Sequence, residues 1–183
     1  MSRINVVTAE TATPDQKALL DEVQSQIGMV PNFLAVLANS PDALESFLGL
    51  HQIAGNGSLS PETRERIALV VAQANSCEYC VSAHTAIGRN AGLSNDEMAA
   101  NRAGSSSDEK AAAAVVFAKA LNEHLGEVTQ AEFDAVRAAG YSDADIVEII
   151  THVGMNILTN LVGKATRVDI DFPKVSLKQS QAA

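Results

Sequence analysis

Two cysteines and a histidine lie close together in the sequence with a spacing that suits thiol redox chemistry. Cys77, Cys80 and His84 follow one another at intervals of three and four residues, so on a helix their side chains share one face within two turns. A C-x-x-C pair at a helix start can form a disulfide, and the unpaired N–H groups there favour a thiolate. The stretch therefore predicts a dithiol–disulfide site in which His84 reaches the Cys80 sulfur.

A carboxylate on the preceding helix is expected to join this group. The predicted helices 60–74 and 77–91 are joined by a very short turn near Asn75, so they should pack as an antiparallel hairpin. Counting back from the turn places Glu65 at the level of His84. A carboxylate in that position can orient an imidazole and keep it protonatable.

Other interpretations of these residues are open on the sequence alone. Two nearby cysteines also occur simply as small buried hydrophobic side chains. A zinc site is a second alternative, but Cys77, Cys80 and His84 supply three ligands where a closed structural site needs four. Glu65 is also compatible with a solvated helix carboxylate.

The remaining histidines and two asparagines lack a spacing that indicates a joint role in chemistry. His51, His124 and His152 are interpreted as surface or hydrogen-bonded core residues, and His152, in an apolar helix, is expected to come closest to the site. Asn156 and Asn160 lie one turn apart and suggest interior polar residues at a subunit contact, or simple packing.

Capping residues and apolar periodicity divide the chain into helices. Period-two alternation of β-branched residues is absent from the sequence, which predicts an all-α fold. We expect one helical domain over residues 1–173, with a flexible linker at 104–107 and a loose C-terminal tail at 174–183. The predicted helical segments are 13–27, 33–38, 40–55, 60–74, 76–91, a short helix from Ser94, 108–124, 129–140 and 142–163.

Composition narrows the class of protein. The 183 residues are 46% hydrophobic, which argues against intrinsic disorder, and only 4% aromatic, which suits closely packed helices. A net charge of −9 without a basic cluster argues against nucleic-acid binding. The apolar run Ala111–Val116 is far too short to cross a bilayer. The first residues lack the apolar core of a signal peptide, which predicts a cytoplasmic location.

The pattern Glu65, eleven residues, Cys77-x-x-Cys80-x-x-x-His84 resembles the signature of the carboxymuconolactone decarboxylase and AhpD-like superfamily. Two flanking segments, Gly28–Phe33 and the stretch from Thr159 to Pro173, are similar to its peroxidase-related, alkylhydroperoxidase-like branch. The likeness covers about Asp15 to Pro173.

The resemblance implies an AhpD-like helical bundle that forms homo-oligomers, trimers or hexamers, and reduces hydroperoxides without a bound cofactor. Cys80 would be the peroxidatic thiol and Cys77 the resolving thiol, with Glu65 and His84 in a proton relay. An external dithiol of the thioredoxin or lipoyl type would reduce the disulfide. Hydroperoxidases of the family carry a histidine immediately before the second cysteine, where this chain has Tyr79, and a phenol with a pKa near 10 is a poor proton shuttle. Tyr79 is therefore given at most a supporting role.

Three hypotheses about function follow. The first is a thiol peroxidase that cycles Cys77 and Cys80 between dithiol and disulfide. The second, motivated by Tyr79, is a general disulfide reductase or redox sensor without a dedicated peroxide substrate. The third is a non-enzymatic helical assembly protein whose cysteines are structural.

Overall fold

The computed structural model describes residues 2–178, and within them every regular element is a helix. This confirms the predicted all-α fold. The helices are α1 (Pro14–Ile27), α2 (Asn32–Leu37), α3 (Pro41–Gly55), α4 (Pro61–Ala74), α5 (Glu78–Asn90), α6 (Asn95–Arg102), α7 (Glu109–Glu123), α8 (Gln130–Ala138) and α9 (Asp143–Thr166).

Helix α4 is the centre of the bundle. It packs against α5, α6, α7 and α9, and its apolar residues Ile67, Leu69 and Val71 are completely buried. One hydrophobic cluster joins α4 to α7 and α9, and a second surrounds the start of α5 with α2, α3 and the C-terminal segment. The α4–α5 hairpin therefore lies at the junction of the two clusters.

The helix starts follow the predicted caps, with one informative exception. The hydroxyls of Thr13, Ser60 and Ser142 each accept a hydrogen bond from a first-turn N–H. Ser76, predicted to cap the cysteine helix, does not. It takes a left-handed conformation with φ of 54°, because the short turn after α4 must reverse the chain before α5 begins. The cap passes to Cys77, whose Sγ accepts the N–H of Cys80 at 3.4 Å.

The segment from Gly104 to Ser107 is held in place, contrary to the expectation of a flexible linker. The N–H of Glu97 donates to the Ser94 hydroxyl at 3.1 Å at the start of α6, and the Glu97 carboxylate turns toward this segment. It accepts hydrogen bonds from the Ser107 N–H at 2.9 Å and from the Ser106 and Ser107 hydroxyls. Arg66 pairs with the same carboxylate at 2.9 Å. Burial raises the pKa of Glu97, but the hydrogen bonds from Ser106 and Ser107 outweigh it and hold the pKa far below its usual range.

Glu97→Gln is expected to lower the free energy of unfolding by about 3 kcal/mol at pH 7, because Arg66, whose side chain is only 15% exposed, would lose its counter-charge. The folded-state pKa of Glu97 is lowered, so its contribution is present above the unfolded-state pKa and is lost as pH falls toward the folded value. Urea unfolding of both proteins should therefore show the difference shrinking below about pH 4.5. Glu127→Gln, at an exposed loop acid, is the control and should show no such gap.

The C-terminal segment packs along α4 and α5 as far as it is described. The Val175 N–H donates to the Ser82 hydroxyl at 3.0 Å, and the Gln73 side chain donates to the Leu177 carbonyl at 3.1 Å. Arg102 donates to the Ser176 carbonyl at 2.7 Å. The expected loose tail at 174–183 is thus docked through residue 178, since its apolar side chains find a groove, and residues 179–183 lie outside the described residues.

Within the described residues, α9 is long and apolar enough, by length and composition alone, to cross a membrane. The sequence expectation was based on the uninterrupted run Ala111–Val116 and missed this helix. In the fold α9 packs against α4 and α7, and it buries the polar side chains of His152, Asn156 and Asn160 against the rest of the chain. These contacts identify α9 as a core helix of the bundle.

Candidate functional site

The cysteine pair lies at the start of α5, directly after the tight turn from α4. Cys77 and Cys80 are joined in a disulfide, with Cα atoms 5.3 Å apart. Both side chains are buried, with 1% and 3% of their surface exposed. The helix start therefore presents the pair at the junction of the bundle, as the C-x-x-C spacing predicted.

Three asparagines fix the turn that carries the pair. Asn75 donates to the side-chain oxygens of Asn122 and Asn160, both at 2.9 Å, and Asn122 returns a hydrogen bond to Asn75 at 3.1 Å. Lys164 also donates to the Asn75 carbonyl. Asn160 is therefore an interior residue of this chain that helps to position the α4–α5 turn. Asn156, likewise buried, donates to the His152 carbonyl at 2.8 Å.

The two cysteines differ in what surrounds them. Cys80 lines a pocket, whereas Cys77 is not part of its wall. Behind the pair the backbone of α9 comes close at Gly163, where a methyl group would lie 3.3 Å from the Cys77 sulfur and 3.8 Å from the Cys80 sulfur. A side chain at this position would crowd the Cys77 sulfur, so Cys77 is enclosed by α9, whereas Cys80 faces the cavity.

His84 and Glu65 meet across the hairpin. The Nδ1–H of His84 donates to Oε2 of Glu65 at 2.8 Å, in a contact that is only partly open to solvent. The helices place these residues opposite each other in the register expected from the short turn. Since Glu65 holds Nδ1, the neutral ring leaves its Nε2 edge available, and His84 lines the same pocket as Cys80.

The pocket has a volume of about 490 Å³, within the range of small-molecule sites. Most of its wall is apolar and comes from elements far apart in the sequence, including Met29, Phe33, Phe47, Met155 and Phe172. The site is therefore a cavity with a single cysteine and an imidazole on one wall. An organic molecule larger than hydrogen peroxide fits the space.

Three basic side chains that the sequence did not assign to the site also line this pocket. Arg64 precedes Glu65 on α4, His51 comes from α3 and His152 from α9. His152 was expected to approach the site and does so, whereas His51 had no signal in the linear spacing. His124 ends α7 and is not part of the pocket wall. Desolvation, followed by the nearby His84, lowers the pKa of His51.

Tyr79 is buried and its hydroxyl is already engaged. It accepts the Phe33 N–H at 3.2 Å, and its ring packs edge-on against Phe172 at 5.8 Å between centroids. Burial, followed by the neighbouring carboxylate of Asp171, raises the pKa of Tyr79 far above its usual range. Tyr79 thus ties α5 to α2 and to the C-terminal segment, and it stays protonated.

Comparison with known proteins shows which family this pair of helices and its cysteines resemble. Residues 41–123 match the model of the carboxymuconolactone decarboxylase family. A peroxidase-related protein of Ralstonia eutropha JMP134, described as an alkylhydroperoxidase AhpD core, shares 29% identity with a TM-score of 0.81, over 93% of this chain and 92% of that one. The chain has the AhpD-like helical fold, and its central part matches the carboxymuconolactone decarboxylase family. The resemblance seen in the motif is thereby confirmed.

Two further structures show how widely the AhpD-like fold is shared. A peroxidase-related protein of Silicibacter sp. TM1040 is 26% identical with a TM-score of 0.81, over 92% of this chain and 91% of that one. The debrominase Bmp8, solved with 2,3,4-tribromopyrrole, is 21% identical with a TM-score of 0.78, over 93% and 94%. The latter likeness shows the fold alone. No curated protein matches the chain significantly.

The family match covers Glu65 and the whole C-x-x-C-x-x-x-H stretch, but not all of the walls of the AhpD-like pocket. Met29 and Phe33 precede the matched residues, and His152 and Phe172 follow them. Within the described residues, no cluster of three or more His, Cys, Asp or Glu side chains is arranged to hold a metal ion. The pocket wall itself offers the Cys80 sulfur, the His84 imidazole and the Glu65 carboxylate for chemistry.

Tyr79→Phe is expected to lower the free energy of unfolding by about 1–2 kcal/mol, because the buried Phe33 N–H loses its acceptor. Peroxide consumption should fall by less than about tenfold, whereas loss of a working proton shuttle costs about a hundredfold or more. Thermal unfolding and initial rates measure the two effects. Tyr141→Phe, at a buried tyrosine outside this pocket, is the control. A hundredfold loss of rate in a folded Tyr79→Phe protein would assign Tyr79 to the chemistry.

Proposed function

We propose that the chain is a thiol-dependent peroxidase that reduces organic hydroperoxides through a Cys77/Cys80 dithiol–disulfide cycle. The observation that carries this proposal is the cavity in which Cys80, His84 and Glu65 meet. A family match and two neighbours described as peroxidase-related support it.

In the first step the Cys80 thiolate attacks the terminal oxygen of the hydroperoxide. An S–O bond forms and the O–O bond breaks, so Cys80 becomes a sulfenic acid and the substrate leaves as an alkoxide. His84, oriented by Glu65, takes the Cys80 thiol proton on Nε2 as the thiolate forms and then gives it to the alkoxide, which leaves as an alcohol. An imidazole on the pocket wall one helical turn from the nucleophile suits this transfer.

In the second step Cys77 attacks the Cys80 sulfur. The disulfide forms, the sulfenic oxygen leaves with two protons as water, and the site reaches the state seen in the structure. The pair shares one helix start, so this reaction is effectively intramolecular. An external dithiol of the thioredoxin or lipoyl type then returns two electrons and two protons to the pair.

The direct test is hydroperoxide consumption by the reduced protein, with thioredoxin-type and lipoyl-type donors compared. Cumene hydroperoxide is the probe, and the product alcohol is quantified against disulfide formed. We expect saturable turnover with one alcohol per disulfide. Reduction of low-molecular-weight disulfides without any consumption of peroxide would instead favour the general disulfide reductase or redox sensor.

Reductive dehalogenation is an alternative outcome that the same experiments can distinguish. A debrominase that shares the fold was solved with 2,3,4-tribromopyrrole, but a shared fold by itself does not favour this reaction. The same compound, offered to the reduced protein, should release no bromide if the site is a peroxidase. A helical assembly protein with structural cysteines would be inert to every one of these reagents.

We further propose that the protein works in the reducing cytoplasm as a homo-oligomer, a trimer or hexamer. Helix α9 supports self-association, since Val147, Leu158 and Leu161 remain 61%, 43% and 63% exposed on one face. With Thr151 and Gly154 they follow the alternating spacing of four and three residues that is typical of a helix–helix seam.

Leu161→Glu is expected to dissociate the oligomer, because each copy would bury a charge in the apolar seam. Sedimentation velocity should show a shift from the assembled species to the 19.2 kDa chain. Leu125→Glu changes an equally apolar residue that is 87% exposed outside α9, and this variant should sediment like the wild type. If Leu161→Glu stays assembled, α9 is not the seam.

A further inference from the structure

The reactive sulfur and two basic side chains of the pocket lie at different levels along α9. Gly163 lies against the two sulfurs, and His152 lines the pocket eleven residues earlier on α9. Eleven residues of helix span about 16 Å. Near His152 the wall includes Gly55, at the end of α3, and Arg64, in the first turns of α4. We call this region, formed by Arg64 and His152 beside Gly55, the distal end.

Arg64 has spare hydrogen-bonding capacity at the distal end. One of its Nη atoms donates to the Gly55 carbonyl, which leaves further N–H groups of the guanidinium fork. Among the residues that the structure describes, the side chain forms no ion pair with a carboxylate. An unpaired guanidinium on a largely apolar wall is unexpected in a chain with a net charge of −9.

His152 borders the distal end beside Arg64, and only 4% of its surface is exposed. Burial lowers the pKa of His152, and the charge of Arg64 lowers it further, against the effect of a hydrogen bond to the Ala54 backbone. On a neutral ring that bond takes the single N–H, so the other ring nitrogen is an acceptor. His152 therefore packs beside the guanidinium without donating to an anion.

The acidic side chains near the distal end are already occupied. Glu65 holds the His84 ring at 2.8 Å. Glu148 accepts the N–H groups of Ser58 and Leu59, both at 3.0 Å. These carboxylates contact other groups, so the guanidinium of Arg64 has no carboxylate at ion-pair distance within the described residues.

We propose that Arg64 binds the carboxylate of the substrate, so that the peroxidase acts on hydroperoxides of long-chain carboxylic acids. The hydroperoxyl group lies at Cys80, hydrocarbon fills the apolar part of the pocket, and the carboxylate accepts hydrogen bonds from the free N–H groups of the Arg64 guanidinium. This inference rests on the proposed function for the reacting group, whereas the carboxylate site stands on the distal geometry alone.

The test compares linoleic acid hydroperoxide with its methyl ester, both kept below their micelle concentrations. These probes differ only in the charge at the distal end. For the wild type we expect kcat/KM to favour the acid by about tenfold, as for one charge-assisted hydrogen-bonding site. In Arg64→Gln the acid-to-ester ratio should fall toward one. The glutamine amide can still donate to the Gly55 carbonyl, so the end of α3 keeps a capping donor.

Arg89→Gln is the matched control, because it removes the same charge from an exposed position on α5. Its acid-to-ester ratio should equal that of the wild type. Equal rates for acid and ester in the wild type, or an unchanged ratio in Arg64→Gln, would overturn the proposal and leave Arg64 as a cap of α3.

A binding measurement separates this proposal from the proposed function. The hydroxy acid and the hydroxy methyl ester, which contain no peroxide, are titrated calorimetrically into the wild-type disulfide form. Binding of the acid about tenfold tighter than the ester supports the carboxylate site even if no hydroperoxide is turned over. Equal affinities overturn it even if both hydroperoxides are reduced.

Discussion

Cys80→Ser is expected to reduce hydroperoxide turnover by about a thousandfold or more, because a serine hydroxyl cannot replace the thiolate that attacks the peroxide. Cys80 is the cysteine that lines the pocket. Stopped-flow measurement of peroxide consumption by the reduced protein checks this expectation. Far-ultraviolet circular dichroism should show that the variant is folded, since the substitution changes one atom of a buried side chain.

Cys77→Ser is the matched variant at the other, enclosed cysteine, and its reaction with peroxide should differ from that of Cys80→Ser. It should still consume one equivalent of peroxide, because Cys80 remains, and then stop as a sulfenic acid that a dimedone-type reagent labels. Turnover with a dithiol donor should be lost. If Cys80→Ser kept full consumption while Cys77→Ser lost it, the two roles would be reversed.

His84→Ala is expected to lower kcat by about a hundredfold, the usual contribution of a positioned general acid or base. Glu65→Gln should have a smaller effect, about tenfold, since the amide can still hold the ring but loses the charge that stabilises a protonated imidazole. Initial rates at fixed peroxide and donor concentrations measure both effects.

Added imidazole distinguishes proton transfer from a structural role. The deleted side chain of His84→Ala leaves space on an accessible pocket wall, so imidazole should restore part of the lost rate in this variant. His124→Ala, at the end of α7 and outside the pocket, should be neither slow nor rescued. A slow His84→Ala protein without rescue, together with a lowered unfolding temperature, would contradict a role in proton transfer.

The α4–α5 hairpin could be predicted from the sequence because its geometry is local. A turn of a few residues fixes the register of the two helices, so the meeting of Glu65 with His84 followed from counting residues. Likewise, the C-x-x-C spacing alone places Cys77 and Cys80 at one helix start. The sequence placed the start of the cysteine helix at Ser76, one residue before the observed cap at Cys77. The left-handed conformation of Ser76 depends on how tightly the chain turns between α4 and α5.

The pocket could not be predicted in the same way because distant segments form it. His51, Arg64 and His152 belong to three helices, and no spacing in the sequence relates them. The docked residues 174–178 present the same difficulty, since their contacts with Ser82 and Gln73 join positions about a hundred residues apart in the chain. Helical periodicity identifies the buried face of each helix, but not the segment that packs against it.

The contact between Gly163 and the two sulfurs has a kinetic consequence. Main chain lies against the rear of the disulfide and Cys80 lines the pocket, so in the proposed peroxidase cycle the reductant would use the same opening as the oxidant. The two substrates then exclude each other and take turns, which is ping-pong kinetics. An excess of dithiol should accordingly slow peroxide reduction by occupying the cavity. A bulky reductant has to present its thiol on a narrow arm.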